Sequence, residues 1–141
     1  MAPALAVATA AVFVWLGMVL AISFLEAPLK FRAPGVTLPI GLGIGRLVFR
    51  ALNVCEAVLA AALVASLSIR PSTISAAIAA GVAVVVLIAQ VLAVRPALTR
   101  RSEATLAGAE VPRSQAHFVY VGLEIAKVIA LLVTGVLLLA A

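Results

Sequence analysis

Four apolar runs of about twenty residues each, separated by short polar segments, make up most of this 141-residue chain. A helix rises about 1.5 Å per residue, so each run is long enough to cross a hydrocarbon core of about 30 Å. Backbone N–H and C=O groups find no water at that depth and must be satisfied within the segment, which favours helices. The composition points the same way. With 66% of residues hydrophobic and 11% charged, a domain folded in water would lack a polar surface. A soluble enzyme, a nucleic-acid-binding domain and a second water-soluble domain are excluded, despite the net charge of +5. The chain reads as a single all-α domain over residues 1–141, an integral membrane protein built as an antiparallel bundle of four transmembrane helices.

The expected helices cover about residues 4–25, 40–69, 71–94 and 114–140. Glu26 and Pro28 close the first, because the residue before a proline is pushed out of the helical region. Pro34, Gly35 and Pro39 then mark a loop. Arg70 ends the second helix, Pro71 sits in the first turn of the third, where a missing N–H costs nothing, and Arg95 and Pro96 stop it. Residues 97–113 form a polar stretch of mixed charge, and Ser114 suits the N-cap of the fourth helix. No Lys or Arg precedes the first run while Lys30 and Arg32 follow it, the reverse of a cleaved signal, so this run reads as a helix of the mature chain. Loops this short are expected to force sequential helices to pack antiparallel.

Basic residues fix the orientation. Lys30, Arg32, Arg95, Arg100, Arg101 and Arg113 fall in the first and third loops, against Arg70 alone in the second. Loops 26–39 and 95–113 are therefore expected in the cytoplasm and both termini outside, in a cell inner (plasma) membrane. The preference for Ala, Val and Leu, with Arg over Lys, suggests a high-GC bacterial genome.

Two helices carry charge within their apolar runs. Arg46, Arg50, Asn53 and Glu56 lie within an arc of about 120° on the second helix, and His117, Tyr120, Glu124 and Lys127 within about 80° on the fourth. Such groups are costly in hydrocarbon, so they face the bundle interior and pair. Counted from the basic end, Lys127 lies about 20 Å deep and Glu124 and Glu56 about 15 Å, with Arg50 about 6 Å deep if Arg46 is interfacial. Glu56 with Lys127 is the expected deep pair and Arg50 with Glu124 the next. His117 and Arg46 lie nearer the cytoplasm, where Glu26 is placed to meet Arg46. These eight residues are the candidate functional cluster: either a structural device that fixes register and helix partners, or a proton path or binding site.

Other residues carry less. Gly41, Gly43 and Gly45 lack the strand and spacing of a phosphate loop and fit close helix approach better. Trp15 reads as a lipid or packing residue and Cys55 as a small buried hydrophobe. Helix three, polar only at Gln90, suits lipid or another helix. One His, one Cys and two Met are too few strong ligands for a metal or haem site, and no base lies beside an activated nucleophile, so neither cofactor nor enzymatic activity is expected.

Between residues 12 and 60, Gly17, Phe24, Ala27, Pro28 and Phe31, followed by Gly45, Arg46, Leu47, Val48 and Phe49, resemble a family of small four-helix membrane proteins of unknown function that includes transmembrane protein 205. The resemblance implies the same four-helix layout and brings no catalytic residues. The layout is also similar to the copper-resistance D proteins, whose several histidines and methionines this chain lacks. Two functions are expected. One is a non-enzymatic accessory or structural subunit, with lipid, other membrane subunits or further copies as partners and no nucleic acid. The other is a proton or small-ligand transporter using the cluster between helices two and four.

Overall fold

The computed structural model describes residues 1–107 and 115–141, without the side chains of residues 102, 105, 106 and 115–117. Among these residues it is all-helical. Four helices are long and apolar enough to cross a membrane: α1 (Pro3–Arg32), α2 (Leu38–Ile69), α3 (residues 74–106) and α4 (Gln115–Ala140).

Two helices are longer than their prolines suggest, and the reason is local. α1 runs through Pro28 to Arg32, and α3 runs through Pro96 to Leu106, so most of the polar stretch after Arg95 is helix rather than loop. A proline inside a helix clashes with the carbonyl four residues earlier, here that of Phe24 or Leu92. Both carbonyls lie in π-helical segments, Leu20–Glu26 in α1 and Gln90–Val94 in α3. The wider π turn moves that carbonyl aside, so the helix passes the proline instead of ending.

The other ends are set by capping. Thr37 accepts a hydrogen bond from Ile40 N at 3.4 Å, with Pro39 in the first turn of α2. Thr73 accepts from Ala76 N at 3.2 Å and starts α3 at Ile74, so Pro71 lies in the connection and not in the first turn of the helix. A threonine hydroxyl satisfies an orphan N–H, which fixes the start more firmly than a proline that merely tolerates one. Ser114, the expected cap of α4, lies outside the described residues. Between α1 and α2 the chain turns at Gly35, whose φ of +80° suits a residue without a Cβ.

α1 is the central helix. Its buried residues Ala8, Val12, Trp15 and Val19 pack between α2 and α4, and α3 packs along α4 through Ala76, Ala80, Ala83 and Leu87. The alanines at alternating four- and three-residue spacing let the α3 and α4 backbones come close. α2 and α3, although sequential, touch only sparsely. Their connection holds them together at one end, and a space opens between them toward the basic end. At that end the Phe31 ring occupies the place a Cβ of Gly41 would take. The glycine run thus receives an aromatic ring and the nearby Lys30 side chain from the end of α1.

Candidate functional site

Two polar groupings lie along the inner faces, one deep and one open. In the deep grouping, Lys127 Nζ on α4 is 2.5 Å from Glu56 Oε2 on α2, 2.6 Å from Glu124 Oε1 one turn earlier, and 2.8 Å from Gln90 Oε1 on α3. Trp15 Nε1 donates to Glu56 Oε2 at 2.7 Å, and Ser23 Oγ donates to Glu124 Oε2 at 2.7 Å, both from α1. Gln90 Nε2 donates weakly to Glu124 Oε1 at 3.4 Å. Every helix contributes, and Glu56, Gln90, Glu124 and Lys127 are almost fully buried.

The two π segments build this arrangement. Ser23 lies in the first and Gln90 opens the second, and both reach Glu124. The same wide turns that let the helices pass Pro28 and Pro96 present these two residues to α4.

The open grouping is a cavity of about 1290 Å³ between the end of α1, the first half of α2, the second half of α3 and the start of α4. Lys30, Arg46, Arg50, Arg95 and Arg101 line it, and among the described residues Glu124 is its only acidic lining residue. Its remaining wall is largely apolar, including Leu47, Val54, Leu87, Val91 and the ring of Phe49. Arg95 is held between two aromatic rings. Its guanidinium carbon lies 4.8 Å from the Phe49 ring centre and 4.7 Å from that of Tyr120, within cation–π range of both faces. Phe49 and Tyr120 meet edge to face at 6.0 Å, which holds this clamp in shape. The Arg95 Nε and Nη2 are buried and have no hydrogen-bond partner among the described residues.

The expected cluster is therefore divided. Glu56, Glu124 and Lys127 come together. Arg50, Asn53 and Tyr120 instead line the cavity. Arg50 does not pair with Glu124, whose oxygens are taken by Lys127, Ser23 and Gln90. Arg46 meets Glu103 at 3.1 Å rather than Glu26, because α3 continues far enough to bring Glu103 alongside, and Glu26 lies 3.9 Å from Lys30 one turn along α1. The His117 side chain lies outside the described residues. Trp15, Ser23, Gln90 and Arg95 were not among the sequence candidates. A glutamine in an otherwise apolar helix, and an arginine just before a proline, were the signals available for two of them.

Compared with known proteins, the chain matches no family profile, no curated protein and no solved structure. Its functional reading therefore rests on the geometry.

Proposed function

We propose that this protein is a non-enzymatic membrane carrier or binding protein for an anion with an apolar portion, held in the cavity between α2 and α3. The observation that carries the reading is Arg95, with two buried N–H-bearing nitrogens that have no acceptor among the described residues, at the wall of a cavity lined by cations. A buried donor without an acceptor is unfavourable, and a carboxylate or phosphate supplies acceptors in the planar geometry a guanidinium prefers. Among the described lining residues, five basic side chains against one acidic one favour an anion. The volume of about 1290 Å³ far exceeds what an inorganic ion needs, and the apolar wall suits a hydrocarbon portion.

In the proposed orientation the basic end faces the cytoplasm and both termini lie outside a plasma membrane, following the placement of Lys and Arg. The alternative of an accessory subunit draws on the apolar outer faces, such as those at Ile69, Leu92 and Ile129, which lipid covers as well as a partner does. The cavity gives that role no task.

The test is binding to the purified chain in lipid nanodiscs. Decyl phosphate is expected to bind, decyltrimethylammonium not to bind, and inorganic phosphate to bind more weakly than decyl phosphate. Arg95→Gln should weaken decyl phosphate binding about tenfold or more, the equivalent of one lost charge-assisted hydrogen bond. Unchanged affinity in Arg95→Gln, or equal binding of the cationic amphiphile, would overturn the reading.

A further inference from the structure

The buried cluster carries a charge imbalance. Lys127 has three N–H donors, and Glu56 Oε2, Glu124 Oε1 and Gln90 Oε1 at 2.5, 2.6 and 2.8 Å take all three. It is an ammonium with no donor to spare. Two carboxyl groups face it, and both ionised would leave one negative charge without a cation inside the buried cluster, an unfavourable state. The two carboxyls are not equivalent. Both oxygens of Glu124 receive donors, from Lys127 and Gln90 on one and from Ser23 on the other. Glu56 Oε2 receives Lys127 and Trp15, whereas its buried Oε1 receives no donor among the described residues. A bare anionic oxygen is costlier there than a neutral hydroxyl.

We propose that the Glu56–Lys127–Glu124 cluster stores one exchangeable proton on Glu56 Oε1 and exchanges it with the cavity through Glu124. Glu124 is the member of the three that also lines the cavity. In the loading step the Glu124 carboxylate takes a proton from a hydronium ion in the cavity, leaving water behind. Lys127 passes one of its protons to Glu56 Oε2, the oxygen it contacts, and recovers one from Glu124, and a half-turn of the Glu56 carboxyl then brings the hydroxyl to the Oε1 position. One O–H bond forms on Glu56, Lys127 ends as an ammonium and Glu124 as a carboxylate, and the cluster has gained one proton and become neutral.

The surroundings favour this assignment. Glu56 is faced by uncharged Trp15 from α1 and by Lys127 from α4, with Gln90 of α3 and Glu124 reached through Lys127. Around Glu124 are Ser23 from α1 and Tyr120 from its own helix, with Arg95 of α3, Arg50 of α2 and Lys30 of α1 along the cavity. Proton storage stands on the cluster alone. The link to an anion rests on the proposed function, since a negative ligand beside Glu124 favours the proton-loaded state.

Infrared spectroscopy of the full chain in lipid tests both. At neutral pH the wild type should show a protonated-carboxyl C=O absorption that shifts in D2O and disappears on alkalinisation, with emission from Trp15, the chain's only tryptophan, changing over the same range. Glu56→Gln and Glu124→Gln each leave one carboxylate for one ammonium, and each should remove the absorption. Decyl phosphate added at a pH where the wild type has lost the absorption should restore it. Its absence from the wild type, a result that needs no variant to fold, or its persistence in both variants, would overturn proton storage whatever the anion does. Decyl phosphate that binds without restoring the absorption would overturn exchange through Glu124. Failure of decyl phosphate to bind would remove the anion reading and leave the stored proton standing.

Discussion

Lys127 concentrates the polar energetics of this protein in one side chain, because four helices meet at its ammonium or at the carboxylates it holds. Replacing it with Met leaves Glu56 and Glu124 facing each other without a cation, and breaking a buried pair in this way costs on the order of 3 to 5 kcal/mol. Changing Lys127, Glu56 and Glu124 together to apolar residues of similar size should recover much of that loss, measured as the midpoint of denaturant unfolding in detergent. Equal damage from the single and triple changes would mean the three do not act as one unit. Trp15→Phe is milder: it keeps the packed ring and removes one donor from Glu56, for a loss of about 1 to 3 kcal/mol. The Glu56 and Lys127 pairing was legible in the sequence because helical rise converts position into depth, and two opposite charges of similar depth on inward stripes have few other partners. Trp15 and Ser23 were not legible, and Gln90 stood out only as a polar side chain in an apolar helix, with nothing to name its partner. Each is a residue with an ordinary apolar or surface role, and its partner lies on another helix whose rotation the sequence does not state.

At the level of elements, the two π segments shape the site more than any helix end. Each holds one residue more than an α-helical turn would, so the helix beyond it is rotated relative to the helix before it. Deleting the exposed Ala93 from the second segment should let α3 close as a regular helix and turn Arg95 about 100° relative to Gln90. The expected result is unchanged helix content by circular dichroism together with loss of decyl phosphate binding. Binding that survives the deletion would show that the register of Arg95 does not matter. Proline rules placed both helix ends too early, since a π turn leaves no compositional mark: Leu20–Glu26 and Gln90–Val94 read like any other apolar stretch. The capping threonines were available in the sequence, but Thr73 stands two residues after a proline that also suits a helix start.

For the whole molecule, the four-helix count followed from the apolar runs, and the cavity did not. Short connections make sequential helices antiparallel but do not say how closely each pair packs, and α2 and α3 touch only sparsely, with α1 between α2 and α4 and the cavity between α2 and α3. How non-neighbouring helices share α1 depends on side-chain fit along its whole length, which no local pattern expresses. Orientation is a separate matter, governed by charge outside the apolar runs. Lys30, Arg32, Arg95, Arg100 and Arg101 gather at the end where the cavity opens, and Arg70 stands alone at the other. With Cys55 replaced by Ala, a cysteine at Ala33 should resist a membrane-impermeant thiol reagent in intact cells and react once the cells are opened. A cysteine at Ser72, in the opposite connection, should react in intact cells. The reverse pattern would put the cavity mouth outside, where an anion would arrive from the medium rather than from the cytoplasm, and would overturn the proposed orientation while leaving the binding geometry as it is.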